Sequence, residues 1–475
     1  MKKRFFLLRS FLLLFCFGLA GAELDILCTS DLHGHFEKMP ALAAVLRSVD
    51  GKTLKIDTGD TLMGTLYSDL RGGEPMIRLL NFLRFDVWVP GNHDFEAGYE
   101  AFSSRVKEFE GVTLGAHWRW RDVVPVKWKM FEINGVRAAV IGATDPAMPW
   151  RVLPGTDGVF EDVTKSIGRI MPEILAARPH VVILAFHNGM YSKYANLYEL
   201  CRTCPEIDLI LGGHSHKEIA GHKVRHAYFV QAGCHGACAA HVKVKVDDAS
   251  GRIIRIESAL LYPGDGACDG ETARLCDDFA REQRQIASRR IAVAPLCCEW
   301  PEKNGRPADL GRFFAASLLD AAGADAALVS LPVRRNGERE ARGGRTTLTE
   351  GLLYRLFPFR NRVCTVVVTR SDLSELGRFI RERGKKRKTC YFFAGCVRRN
   401  EEGVPVMAPE KCVLAVTDYT LVSTPVLRAK LDTPGAWRVL PDRFDRDVVR
   451  RAFRKAERPL PQQPRSGQQS FRRQY

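Results

Sequence analysis

Five short segments of this 475-residue chain combine aspartate, histidine and asparagine in a way that can hold metal ions. They are Asp31-Leu32-His33, Gly59-Asp60, Gly91-Asn92-His93-Asp94, His187-Asn188-Gly189 and Gly212-Gly213-His214-Ser215-His216. A lone Asp-x-His is ordinarily a surface pair, and a lone histidine after a strand is ordinarily a satisfied core residue. Together the segments offer seven donors: Asp31, His33, Asp60, Asn92, His187, His214 and His216. Carboxylate and amide oxygen mixed with imidazole nitrogen suits Mn²⁺, Zn²⁺ or Fe, whereas Mg²⁺ favours oxygen alone. Seven donors are too many for one tetrahedral ion. They fit two divalent ions about 3.5–4 Å apart sharing a carboxylate, an arrangement used for phosphoester hydrolysis.

Such a site needs a rigid scaffold, and each segment follows an apolar run that reads as a buried strand. The runs are residues 24–28, 53–56, 86–89, 180–185 and 207–211, with a further strand at 136–141. Longer amphipathic stretches at 39–49 and 163–177 lie between them and read as helices. The alternation predicts an α/β layered unit over residues 23–262, with the chemistry on loops at strand ends. Residues 263–304 read as a helical linker, with 272–290 helix-compatible and prolines and glycines on both sides. A second α/β unit is expected at 305–441, with strands near 326–330, 363–369 and 412–417. The last segment, 442–475, is rich in Arg, Gln and Pro and reads as a basic tail that frays after one short helix.

Composition sets the wider class. A hydrophobic fraction of 45% and a charged fraction of 27% exclude disorder, collagen and coiled coil as the main architecture. Residues 1–22 combine Lys2, Lys3, Arg4 and Arg9 with a short apolar run and Ala20-Gly21-Ala22, which reads as a cleaved signal for export to a periplasmic or extracellular space. No later run is long enough for a stable membrane span. Loss of the signal lowers the net charge from +16 to +12 and leaves 13 of the 14 cysteines. In an exported chain these read as local disulfides or buried thiols, with an odd one left over. Cys201-x-x-Cys204, Cys234-x3-Cys238 and Cys297-Cys298 are too irregularly spaced for a zinc ribbon. The basic excess concentrates at 331–400, with 18 Lys and Arg against 6 Asp and Glu, including Lys385-Lys386-Arg387-Lys388. Such a run is commonly a solvated face; it can also draw anionic esters toward a cleft. No nucleic-acid-binding motif accompanies it, so no specific nucleic-acid partner is expected.

The order D-x-H, G-D, G-N-H-D/E, H, G-H-x-H resembles the calcineurin-like metallophosphoesterases. The longer forms Thr29-Ser30-Asp31-Leu32-His33-Gly34-His35, Gly91-Asn92-His93-Asp94-Phe95-Glu96-Ala97-Gly98 and Gly212-Gly213-His214-Ser215-His216 narrow the resemblance to secreted 5′-nucleotidases and UDP-sugar hydrolases. It spans nearly the whole mature chain. It implies a four-layer β-sandwich-type metallophosphatase domain flanked by helices, plus a smaller C-terminal α/β substrate-binding domain. It also implies that Asp31, His33 and His216 hold one metal ion, that Asn92, His187 and His214 hold the other, and that Asp60 bridges. A metal-activated water would attack, with His93 stabilising the phosphoryl oxygens or protonating the leaving group. The family usually reads Asn-His-Glu-Phe-Asp, its last Asp orienting the histidine. Here Asn92-His93-Asp94-Phe95-Glu96 gives that task to Glu96, one methylene longer. His35 has no ligand position in this scheme and reads as a local hydrogen-bonding residue.

In the second unit the resemblance implies a nucleotide held between the domains. Leu356-Phe357-Pro358-Phe359-Arg360-Asn361 resembles the family's P-F-G-N segment, so Phe359 would stack on the base and Asn361 contact it. Tyr419 would be the second stacking ring; such stacking tolerates any base. Ser330-Leu331-Pro332-Val333-Arg334-Arg335 replaces a glycine-rich turn, with Arg335, or Arg334 after a one-residue slip, as the phosphate fork. Arg306 and Arg312 are candidates for a further arginine, and Ser423-Thr424-Pro425-Val426-Leu427 replaces a glycine- and aspartate-bearing loop. The implied reaction is hydrolysis of nucleotide phosphomonoesters to nucleoside and phosphate. Alternatives are hydrolysis of 2′,3′-cyclic nucleotides or UDP-sugars, or a secreted binding protein without catalysis.

Overall fold

A computed structural model describes residues 21–146, 157–192, 195–294, 309–332, 346–358, 361–385, 389–395, 398–399, 405–407 and 410–457. The expected signal lies outside these residues except for Gly21 and Ala22, which open the first strand and pair with Asp247 and Val246.

Two six-stranded sheets face each other in the first unit. The first runs Ile253–Leu261, Ala239–Asp247, Gly21–Thr29, Thr53–Asp57, Val87–Trp88, Val112–Thr113. The second runs Glu218–Val224, Ala227–Ala232, Leu209–Gly212, Val181–Phe186, Val136–Ala143, Trp128–Ile133. Side chains alternate across Gly21–Thr29 with the strand period of two. Leu24, Ile26 and Cys28 enter the core between the sheets, and Leu27 enters the core under the helices. Helices Met39–Arg47, Glu74–Phe82, Tyr99–Glu108 and Gly270–Ala287 cover the first sheet through residues such as Leu42, Leu79, Phe102 and Phe279. Val163–Ala176 and Leu197–Thr203 cover the second through Ile167, Ile174 and Leu200. The order helix, sheet, sheet, helix is the expected four-layer α/β architecture.

Parallel pairing decides where the loops emerge. Gly21–Thr29, Thr53–Asp57 and Val87–Trp88 run parallel in the first sheet. Val136–Ala143, Val181–Phe186, Leu209–Gly212 and Ala227–Ala232 run parallel in the second. Their C-terminal ends therefore gather at one edge of the sandwich, the place where parallel α/β sheets put ligands.

The second unit has a five-stranded sheet in the order Thr389–Gly395, Ala326–Pro332, Lys411–Thr417, Arg362–Thr369, Trp437–Phe444. Two expected boundaries move. Arg290–Ala294 pairs with Thr346–Thr349, so the end of the expected linker is a strand of the second unit. Trp437–Phe444 crosses the 441/442 boundary, and helix Asp445–Glu457 buries Val448, Val449 and Phe453 in that unit's core. The arginines on the helix's outer face hid this amphipathic pattern within a basic composition. The helix read as linker, Gly270–Ala287, buries Cys276 and Phe279 against the first unit.

Among the described residues Cys28, Cys201, Cys204, Cys238, Cys276 and Cys364 are buried thiols outside any disulfide, one of the two expected readings. Burial pushes the Cys201 thiol up to about 11, so it is protonated and inert at neutral pH. Cys297 and Cys298 lie outside the described residues. Among the described residues no helix is long and apolar enough to cross a membrane.

Candidate metal centre and active site

All five sequence segments arrive at the same strand ends, and their backbone is unusual. Asp31, His33, Asp60, His214 and His216 have φ between 49° and 69°, a left-handed conformation uncommon outside glycine. Such strain persists only where the surroundings over-determine it, and it clusters at functional sites. Here the surroundings are a lattice of buried hydrogen bonds. Asp94 accepts from the backbone N–H of Asp60 at 2.9 Å, Thr61 at 2.8 Å, Leu62 at 2.7 Å and Gly91 at 2.7 Å, tying two loops to one carboxylate. Asp57 accepts from the Thr29 hydroxyl at 2.6 Å, from the Gly59 N–H at 3.1 Å, and from the Thr61 hydroxyl. The Asp31 carboxylate accepts from the His214 N–H at 3.0 Å and from the Ser30 hydroxyl.

Sequence reading missed the scaffolding role of Asp94. No local pattern signalled it, because its full burial and its backbone partners appear only in the folded chain. Glycine is required twice. A Cβ on Gly59, at φ 93°, would sit 2.3 Å from the Gly91 nitrogen. One on Gly91 would sit 2.3 Å from Asp60 Oδ1 and 2.7 Å from the His187 ring.

The donors converge. Asp60, His187 and His214 present ligand atoms that all lie within 4.8 Å of one another, and so do Asp31, His33 and Asp60. Asp60 belongs to both groups. Its Oδ2 is 3.1 Å from His187 Nε2 and 3.8 Å from His33 Nε2. His216 Nε2 is 3.5 Å from Asp31 Oδ1 and 3.0 Å from His33 Nε2. Two nitrogens each about 2.1 Å from one ion at a right angle would be about 3.0 Å apart.

The far nitrogens are already engaged. His187 Nδ1 is 2.7 Å from the Thr58 carbonyl oxygen and His33 Nδ1 is 3.1 Å from that of Met63, which fixes both tautomers with Nε2 toward the centre. Asn92 is buried, and its Oδ1 has no hydrogen-bond partner among the described residues. His214 Nε2 lies 4.0 Å from the fully buried Asp145 carboxylate, another strand-end residue that the sequence reading did not single out.

The electrostatics fit a cation centre. Burial pushes the Asp31 carboxyl up to about 7, against the pull of His187 and with the push of the Asp60 charge. Burial works against the Asp60 charge as well, but His187 and His93 hold that carboxyl well below the usual range. Burial pulls His33 down to about 3, leaving a neutral imidazole with a free lone pair. Burial also disfavours charge on His187, but Asp60 and then Asp31 outweigh it and raise His187 to about 10, a proton that a bound cation would replace. Buried carboxylates, the neutral imidazole of His33 and the buried amide oxygen of Asn92 are donors that divalent ions use.

His93 lies beside this centre, its ring 5.2 Å from that of His33 and its N–H 2.7 Å from Asp60 Oδ1. Its Nδ1 is 2.7 Å from Glu96 Oε1. Burial disfavours charge on the ring, but Glu96 and then Asp60 outweigh burial and raise His93 to about 10. His35 makes the local bond expected of it, with Nδ1 2.5 Å from Glu37.

The second unit reaches this neighbourhood by another route. The Tyr354 hydroxyl donates to Asp69 Oδ2 at 3.1 Å, and Arg446 lies 3.7 Å from the same oxygen with its guanidinium 4.4 Å over the Tyr354 ring. Asn361 donates to the buried Asp445 carboxylate at 2.7 Å. Tyr419 lies in the first turn of helix Asp418–Ser423 and leaves 62% of its surface exposed. Arg312 is on helix Asp309–Ala322, while Arg306, Arg334, Arg335 and Phe359 lie outside the described residues.

Residues 24–218 match the model of the calcineurin-like phosphoesterases. The chain is 24% identical over 384 residues to the endonuclease YhcR of Bacillus subtilis, covering 74% of this chain and 31% of that protein. It is 24% identical over 225 residues to human 5′-nucleotidase, covering 41% of this chain and 38% of that protein. It thus spans about a third of the length of these relatives. The crystal structure of a 5′-nucleotidase precursor from Thermus thermophilus superposes with a TM-score of 0.63 at 18% identity, covering 92% of this chain and 97% of that one, and so shares the fold. Residues 24–218 thus carry a calcineurin-like phosphoesterase domain, of a family that uses divalent metals, and the chain has 5′-nucleotidases among its relatives.

Proposed function

We propose that the chain hydrolyses the phosphomonoester of nucleotides to nucleoside and phosphate, using two divalent ions. The observation that carries this reading is Asp60, whose carboxylate belongs to two separate ligand groups at once. In this scheme Asp31, His33 and His216 hold one ion and Asn92, His187 and His214 the other, with Asp60 shared. Ions held there would supply charge for the phosphoryl oxygens and lower the pKa of a water. The chain's own part is to keep the donors in place and deliver a proton. Glu96 holds Nδ1 of His93, leaving Nε2 to donate toward the leaving-group oxygen or to stabilise charge on phosphate. Arg335 would grip phosphate, Phe359 and Tyr419 would flank the base, and Asn361 would contact it. Export and the domain limits at 23–262 and 305–441 complete the proposal; the strand Arg290–Ala294 and helix Asp445–Glu457 extend the second unit at both ends.

A second reading, phosphodiester hydrolysis, is favoured by the long match to a protein named as an endonuclease. Phosphate release from AMP, UDP-glucose, 2′,3′-cyclic AMP and a nucleotide-free aryl phosphate separates the readings. AMP should be turned over fastest, activity should vanish with chelator, and Mn²⁺ or Zn²⁺ should restore it. Equal rates on AMP and the aryl ester would reject the nucleotidase reading, and a preference for the cyclic ester would favour the second one.

A further inference from the structure

We infer that His235 is a third imidazole ligand of the ion held by Asp31, His33 and His216. The inference rests on the two-ion reading above and adds a donor that its ligand set leaves out.

The topology puts His235 in line with the other donors. Val181–Phe186, Leu209–Gly212 and Ala227–Ala232 are neighbouring parallel strands of the second sheet. The first ends in His187, the second in His214 and His216, and the third leads into Gly233-Cys234-His235-Gly236. The backbone of His235 shares the site's signature, with φ 54° between two positive-φ glycines, Gly233 and Gly236. Its N–H donates at 2.7 Å to the carbonyl of Asp31, locking the loop to the segment that carries two other donors.

The side chain points the same way. A ring nitrogen of His235 lies within 4.8 Å of ligand nitrogens of His33 and His216. The rings are 5.6 Å and 5.5 Å from those of His33 and His216. Behind it the His35 ring packs at 4.4 Å, itself tethered to Glu37. Histidine accounts for only 12 of the 475 residues, and four of them crowd this corner. His33 is buried while His216 and His235 stay partly open to solvent, so a cation can reach the three nitrogens and give them a common partner.

The consequence is asymmetry. One position would have three imidazoles and two carboxylates; the other would have two imidazoles, one amide oxygen and the shared carboxylate. The nitrogen-rich position favours Zn²⁺, Fe or Co²⁺ over Mn²⁺.

Chelator competition on the purified full chain tests this, with His235→Ala and His235→Asn as variants, since asparagine tolerates left-handed backbone. The wild type should take two Zn²⁺ ions. The alanine variant should keep its metal-free melting temperature and bind one of the two at least about tenfold more weakly, with a smaller change for Mn²⁺. Unchanged Zn²⁺ affinities in both variants would overturn the inference and leave the two-ion reading standing. A wild type that binds no ion would overturn both. If the variants do not fold, a Zn²⁺-loaded crystal of the wild type decides: a His235 nitrogen about 2.1 Å from the ion supports ligation, and one beyond about 3 Å rejects it.

Discussion

Glu96 places Oε1 2.7 Å from Nδ1 of His93, three residues earlier on the same short turn. Glu96, one methylene longer than the aspartate usual in the family, thus closes the pair at hydrogen-bond distance. His93→Ala should retain both ions and lower turnover of an aryl phosphate by about 10²–10⁴-fold, the range for loss of a positioned proton donor. Glu96→Gln should fall between that variant and wild type, with its main effect on kcat rather than KM. A His93→Ala enzyme as fast as wild type would remove His93 from the proposed chemistry.

The strand-end donors were legible in the sequence because each needs a particular residue type after a recognisable apolar run. Asp94 was not, because its neighbours in sequence face the site while its carboxylate serves four backbone N–H groups, three from the Asp60 loop and one from its own. The expected short helix after 442 is Asp445–Glu457, but its place in the second unit's core was concealed for a different reason. Its apolar buried residues are only Val448, Val449 and Phe453, beside the buried Asp445 and Arg446, within a segment otherwise dominated by charge. Asp69 and Tyr354 are 285 residues apart, and no local pattern brings them together.

Gly91 tests the close packing of the centre. A methyl group there would meet Asp60 Oδ1 and the His187 ring, both far inside contact distance. Gly91→Ala should therefore displace the shared carboxylate, cost about 1–3 kcal/mol of stability and weaken both ions. Chelator competition and thermal melting check this; an alanine variant with wild-type metal affinity would mean the loops give way without moving Asp60.

The link between the units is testable in the same direct way. Tyr354 and Asp69 are both buried at their contact, and a hydrogen bond to a charged group typically contributes about 1.5–3 kcal/mol. Tyr354→Phe and Asp69→Asn should each destabilise the chain, and a double-mutant cycle should give a coupling of about 0.5–3 kcal/mol. Additive effects in chemical denaturation would show that the contact does not hold the units together in solution.

Asp445 gives a pH signature away from the metal centre. Burial raises its carboxyl from the ordinary 3.8 to about 7, against the opposing hydrogen bond from Asn361 and the charge of Arg446. The folded chain therefore keeps a proton that the unfolded chain has released. The stability this gives is complete below about pH 4 and is lost as the pH rises through 7. Asp445→Asn carries no such proton and can still face Asn361, with its amide oxygen accepting. Subtracting the variant's stability from that of wild type cancels every other titrating group. The difference should fall by up to about 1.4 kcal/mol for each unit between pH 5 and pH 7. Denaturant melts of both proteins at four pH values measure it; a difference that stays flat across this range would place the Asp445 pKa at its ordinary value and its burial at no electrostatic cost.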